Sequence, residues 1–284
     1  MPFLLVFHPL ILRLVAVIVC TLGDLTLDVL VRFSRPVAVD GDTPAEITLS
    51  AGGQAANVAA WASALGATAR YVGKRGADDV GRLVSARLEE AGVEVLGPRA
   101  GRTAVICSLV SPDGERSMGA DRGTAVDIRP DELEPAWLDD CDHLFLSGYA
   151  LLREPARSAA FRAADLARGN GAAVSVDLST WSAIRDAGVT EFRAALAALA
   201  PDVVFANEDE ERIVGGMLPD VTWILKRGSA GVWFDGDERA AAPAERVVDT
   251  TGAGDALAAG WIVGGPDLAL EAAARCVSRL GAMP

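Results

Sequence analysis

Val15-Ala-Val-Ile-Val-Cys-Thr-Leu22 is a nearly unbroken apolar run that ends on Gly23-Asp24. A strand with one wet face alternates apolar and polar residues, whereas a strand covered on both faces is apolar throughout. The run therefore reads as a buried strand of a parallel sheet. Further runs of this kind stand at 144–146, 172–176, 203–206 and 221–225. Helical patterns lie between them. In 78–91, Val80, Leu83, Val84 and Leu88 share one face, Asp78 can cap the start and Gly92 can end the helix. In 154–168, Pro155 suits the first turn. This alternation predicts a doubly wound α/β fold with a mostly parallel central sheet.

Each run passes into polar or glycine residues: Gly23-Asp24, Ser147-Gly148, Asp177, Asn207, Lys226-Arg227-Gly228 and, after Val247-Val248, Asp249-Thr-Thr-Gly252. Ligands of open parallel sheets bind outside the carboxyl ends of the strands, so these positions are expected to line one crevice. Two stretches rich in β-formers break the rhythm, at 28–50 and 102–122, the second containing the turn Ser111-Pro-Asp-Gly114. They predict a small β-sheet lid built from two insertions.

The chain has 284 residues, of which 51% are apolar and 23% charged, which excludes a disordered chain. Its 26 Lys and Arg against 39 Asp and Glu give a net charge of −13. Such a surface repels polyanions and argues against nucleic acid and anionic membranes as partners, yet backbone N–H groups and a local cation can still hold a small anion. The four cysteines are widely spaced without a C-x-x-C pair, as suits a reducing compartment, the cytoplasm. Pro2, His8, Pro9 and Arg13 interrupt the apolar start, and residues 1–13 read as a tail or start-site extension. No repeat or linker divides 14–284, which reads as one domain.

Asp249-Thr-Thr-Gly-Ala-Gly-Asp255 precedes an Ala-rich helical run. Gly252 and Gly254 permit a tight turn close to a ligand, and the free N–H groups of the helix start make an anion hole beside which Asp255 can take a proton from a hydroxyl. A plain loop-to-helix turn capped by Asp is an equal alternative on the residues alone. Gly52-Gly53, with Asn57 one turn on, suits a polyhydroxy ligand or simply a tight helix entry. Asn207 and Glu210 could orient Mg²⁺ or cap an acidic first turn. The run Asp139-Asp-Cys-Asp-His143 reads as solvated loop, since contiguous residues cannot converge on one ion. G-x-G-x-x-G, P-loop and G-x-S-x-G motifs are absent.

These segments resemble the ribokinase-like (PfkB) carbohydrate kinases. Gly52-Gly53 with Asn57 is similar to the N-terminal signature of that family, and Asp249 to Asp255 to its C-terminal one. Gly73 to Gly81, Asp113-Gly-Glu-Arg116, Asn207-x-x-Glu210 and Gly228-Ser-Ala-Gly231 fall between them in the family order. The resemblance covers 14–284 and implies a three-layer α/β/α domain with a β-sheet lid that moves the γ-phosphate of Mg-ATP to a sugar hydroxyl. It implies Asp255 as base and Gly252, Ala253 and Gly254 as anion hole. Asp28, Gly52, Gly53 and Asn57 match acceptor-holding positions, with Asp24 close by. Asn207, Lys226, Gly228 and Gly231 fall where the nucleotide is held, and Glu210 where Mg²⁺ is held through water. Asp249 and Thr251 match positions of a monovalent cation (K⁺) site, and a homodimer through the lid is the implied assembly. Thr26, Gln54 and Gly148 stand where or near where ribokinases proper usually carry Asn, Lys and Glu, a departure that argues against ribose as the acceptor. A nucleoside kinase and a catalytically silent sugar or nucleotide sensor are the alternatives. A purine acceptor calls for a stacking aromatic, and Phe33 alone stands out in the first lid segment.

Overall fold

The computed structural model describes residues 16–113 and 115–284. The tail expected at 1–13, the start of the expected first strand and Gly114 of the expected turn lie outside the described residues. The chain opens with β1 (Ile18–Leu22), β2 (Thr26–Phe33), β3 (Ala45–Gly52), α1 (Gln54–Ala64), β4 (Thr68–Val72), α2 (Asp79–Glu90) and β5 (Val93–Leu96). It continues through β6 (Ala104–Val110), β7 (Arg116–Asp121), β8 (His143–Ser147), α3 (Ala156–Gly169), β9 (Ala173–Asp177), α4 (Trp181–Ala187) and α5 (Val189–Leu199). Last come β10 (Val203–Asn207), α6 (Glu208–Ile213), β11 (Thr222–Lys226), β12 (Val232–Phe234), β13 (Asp237–Arg239) and α7 (Ala253–Val277).

Nine strands form the main sheet in the order β13-β12-β11-β10-β9-β8-β1-β4-β5, parallel from β11 to β5 and closed at the other edge by the antiparallel hairpin β12-β13. Successive side chains of a strand point to opposite faces, and the apolar runs fill both. Val203 and Phe205 enter the core beneath α1 and α7, while Val204 and Ala206 enter the core beneath α3 and α5. Both cores use alanine-rich helices, which let backbones approach the sheet closely: Ala55, Ala59, Ala256 and Ala259 on one side, Ala159, Ala160, Ala163 and Ala164 on the other. The result is the three-layer α/β/α arrangement.

α2 begins where Asp78 accepts a hydrogen bond from Gly81 N at 2.8 Å, and Gly92, at φ +81°, follows it. α7 breaks at Gly264 and Gly265 and doubles back, so that Gly260 lies against Leu268 and Ala269. The second sheet, β3-β2-β6-β7, pairs Asp28 with Ser50 and Thr26 with Gly52 and stands at the carboxyl edge of the main sheet.

Two expectations are corrected. Val247 and Val248 form no strand; the β12-β13 hairpin already closes that edge, and the segment instead hydrogen-bonds to the end of α7, Val248 N to Val277 O at 2.7 Å. The run at 139–143 is only partly solvated. Asp139 and Asp140 are exposed, but Cys141 and His143 are buried, because β8 already starts at His143, whose Nε2 is 2.9 Å from Ser175 Oγ. Burial pushes that imidazole down to about 4, so it stays neutral at the edge of the sheet away from the crevice.

Candidate active site

The carboxyl ends of β9, β10 and β11 present Asp177, Asn207 and Lys226 to a cavity of about 630 Å³. Glu210, Gly228, Gly231 and the loop 250–255 complete its polar wall, and α7 supplies an apolar one. Lys226 Nζ is 2.6 Å from Asp177 Oδ2. Burial alone would lower the Lys226 pKa, but Asp177 and Glu210 outweigh it and hold it above its ordinary value. Gly231, at φ +108°, could not accept a side chain, since a Cβ would stand 2.1 Å from Arg239 O.

Asn207 and Glu210 form a reciprocal capping box at the start of α6: Asn207 Oδ1 accepts from Glu210 N and Glu210 Oε2 accepts from Asn207 N, both at 2.8 Å. The capping reading of this motif is thus realised, and both residues also line the cavity. Burial raises the Glu210 pKa, with Lys226 pulling the other way.

Gly252 takes φ +79° at the N-terminus of α7, and a Cβ there would stand 2.6 Å from Ala282 of the returning C-terminal segment. Ala253 and Gly254 follow in the first turn, whose N–H groups have no partner within the helix. A Cβ on Gly254 would stand 3.3 Å from Lys226 Nζ, so the ammonium and the helix start face one point in the cavity. Asp255 sits on the same turn, half-buried, and its Oδ2 accepts from Asn57 Nδ2 at 2.8 Å. Desolvation pushes its pKa up to about 8; the Asn57 hydrogen bond and Lys226 oppose that rise, and Asp177 and Asp24 add to it. The Asp249 carboxylate is occupied within the loop, accepting from Thr251 N at 3.0 Å, Thr251 Oγ1 at 2.6 Å and Gly281 N at 3.2 Å.

Across Asp255 from the cavity, the end of β1, the start of β2 and the entry to α1 converge. Gly52 leaves room for the Asp28 carboxyl group, since a Cβ would stand 2.2 Å from Asp28 Oδ2. Gly53, at φ +99°, lies against the Asp24 carbonyl. Asp28 Oδ1 accepts from Thr26 Oγ1 at 2.7 Å, and desolvation raises its pKa against that bond. Asp24 is buried, with Oδ2 accepting from Arg122 Nη1 at 3.1 Å, while Asp24 Oδ1 and Asn57 Oδ1 are buried without a partner among the described residues. Orphaned buried acceptors of this kind call for donors such as hydroxyl groups.

Sequence reasoning left four site residues without a role. Asp177 was legible as a strand-end carboxylate, but its pairing with Lys226 was not. Arg116 belongs to a quoted motif; its Nη1 donates to Thr251 Oγ1 at 2.8 Å and Nη2 to Ser108 Oγ at 3.0 Å, tying the small sheet to the glycine loop. Arg122 and Tyr149 carried no signal, because each owes its place to segments distant in the chain. The Arg122 guanidinium lies 3.7 Å from the Tyr149 ring centroid. Phe33 lies at the far end of β2 from Thr26 and Asp28.

The family model described as "pfkB family carbohydrate kinase" matches residues 18–283. An ATP-dependent ribose-1-phosphate kinase of Halopiger xanaduensis is 35% identical, over 91% of this chain and 90% of its own. Fructokinase-1 of Zea mays is 32% identical, over 72% of this chain and 71% of its own. The crystal structure of a putative Ribokinase II from E. coli in complex with ATP and Mg²⁺ superposes with a TM-score of 0.80 at 20% identity, over 95% of each chain, and so shares the fold. With the family model spanning the main sheet, the small sheet and the glycine loop alike, the chain belongs to the pfkB family of carbohydrate kinases.

Proposed function

We propose that this kinase moves the γ-phosphate of ATP to a hydroxyl of a small sugar or sugar derivative, with Asp255 as the base. The acceptor oxygen attacks the γ-phosphorus, the bond from phosphorus to the β,γ-bridging oxygen breaks, ADP leaves, and the hydroxyl proton passes to Asp255. One observation carries this reading: the Asp255 carboxylate stands on the first turn of α7, directly after Gly252-Ala253-Gly254, with a pKa near the pH at which a base must work. Asn57 orients that carboxylate, and Asp24, Asp28 and the backbone at Gly52-Gly53 hold the acceptor. Asn207, Lys226, Gly228 and Gly231 hold the nucleotide, a reading supported by their place in the lining of the cavity beside Asp255.

Among the described residues no group of three or more His, Cys, Asp or Glu could hold a metal by itself. Glu210, which lines the cavity, nevertheless suits Mg²⁺ held through water, since the ion keeps several waters and shares its remaining positions with phosphates. Mg²⁺ held there would supply positive charge to the phosphates. A monovalent cation beside the loop would rest on main-chain oxygens, since the Asp249 carboxylate is already used.

A sugar fits better than a nucleoside, because one face of Tyr149, the aromatic ring beside the acceptor group, is covered by Arg122. The four cysteines are free, and no helix among the described residues is long and apolar enough to cross a membrane, in keeping with work in the cytoplasm. A second copy of the chain is the partner for the outer face of the lid. The test is ATP consumption across pentoses, hexoses, sugar acids, sugar phosphates and nucleosides. Turnover confined to one sugar class supports the reading, and background rates throughout contradict it.

A further inference from the structure

The acceptor group includes a cation that binding of hydroxyl groups does not require. Asp24, Asp28, Asn57 and the backbone at Gly52-Gly53 already offer acceptors and donors for hydroxyl groups. To these the fold adds Arg122, which follows β7 in the chain and is pinned at two points. Its Nη1 donates to Asp24 Oδ2 at 3.1 Å, and its Cζ lies 3.7 Å from the Tyr149 ring centroid. Asp24 is only 5% exposed and Arg122 is 25% exposed, so the guanidinium reaches from a buried anchor to an open edge. Among the described residues the Arg122 guanidinium pairs with Asp24 and with no other carboxylate. A guanidinium held between a buried carboxylate and an aromatic ring has lost much of its rotamer freedom before a ligand arrives, and the planar fork of a guanidinium fits the two oxygens of a phosphate or carboxylate. Asp24 completes the geometry. Its Oδ1 is buried without a partner, so one side chain that orients the arginine also presents an acceptor for an adjacent hydroxyl.

We propose that Arg122, positioned by Asp24 and Tyr149, is a specificity-determining residue that receives an anionic substituent, phosphate or carboxylate, already carried by the sugar acceptor. The proposal rests on the kinase reading above. It accords with the relative that phosphorylates ribose-1-phosphate and departs from the fructokinase, whose acceptor is neutral. On a chain of net charge −13 such a ligand is drawn in by this local cation and not by the overall field.

The test uses matched acceptors, ribose-1-phosphate against ribose and gluconate against glucose, with the wild-type chain, Arg122→Gln, Arg122→Lys and the double variant Asp24→Asn/Arg122→Gln. The double variant removes both charges together, so that no buried carboxylate is left unpaired. The expected result is a kcat/KM at least 100-fold higher for the anionic member of one pair, and the pair concerned tells phosphate from carboxylate. Arg122→Gln and the double variant reduce that preference at least tenfold, and Arg122→Lys restores part of it. Arg87→Gln, an exposed change on α2, leaves the preference intact and shows that net charge is not its source. Preference for the neutral member of both pairs, or a preference untouched in Arg122→Gln and the double variant, overturns the proposal while the kinase reading stands. Were no acceptor phosphorylated, the kinase reading would fail, and calorimetry with ribose-1-phosphate and gluconate decides separately. Binding weakened at least tenfold by the double variant supports the subsite, and absence of binding to the wild-type chain overturns it.

Discussion

Asp255 is displaced toward its protonated form by desolvation, against the Asn57 hydrogen bond, so that it titrates at about 8 when folded and near 3.8 when unfolded. A carboxyl group whose pKa is raised by folding stabilises the protein at low pH and loses that contribution as pH rises toward the folded value. Between about pH 4 and 8 the wild-type chain is therefore expected to lose thermal stability relative to Asp255→Asn, whose amide keeps an oxygen for Asn57. Melting curves of both at pH 5 and pH 8 check this, and a pH-independent difference contradicts it. Glu210 allows a second separation of roles. Gln at that position keeps an oxygen for Asn207 N and loses the charge, whereas Ala loses the box. Glu210→Gln is expected to raise the Mg²⁺ concentration for half-maximal rate with little change in Tm, and Glu210→Ala to cost about 0.5–2 kcal/mol of stability as well. Magnesium titrations and denaturant midpoints read the two effects.

At the scale of elements, the entry to α1 sets two glycines to different work. A Cβ on Gly52 meets the far end of the Asp28 side chain, which can swing away, whereas a Cβ on Gly53 meets the Asp24 backbone at 2.5 Å in a left-handed conformation. Gly52→Ala is expected to raise the acceptor KM at least tenfold with Tm nearly unchanged, and Gly53→Ala to lower Tm itself. Similar Tm losses for both would contradict the assignment. The strands of the main sheet were legible because Val203 to Ala206 must serve two cores at once and so shows no polar face. The helix at 79–90 was legible because Asp78 and Gly92 mark its ends chemically. Val247-Val248 misled because an apolar pair says nothing about whether a sheet edge is still open. The Asp24–Arg122 pair was invisible because it joins residues 98 positions apart, in the segments that follow β1 and β7.

Over the whole molecule, the small sheet has one face toward the glycine loop, bearing Asp28, Ser108 and Arg116, and an opposite face on which Ile47 and Leu49 stand 62% and 58% exposed beside Val29, Val31 and Leu109. An apolar patch so placed on an acidic protein is expected to be covered by a second copy. Light scattering on the wild-type chain should give a dimer, and Ile47→Asp/Leu49→Asp a monomer. A monomeric wild-type chain would remove the lid as an interface. The central claim, that Asp255 is the base for transfer from ATP to a sugar hydroxyl, is tested most directly by the steady-state rate of Asp255→Asn with the best acceptor of the panel. The account predicts a kcat lower by about 10²–10⁴ with the ATP KM nearly unchanged, and a kcat near that of the wild-type chain would contradict it.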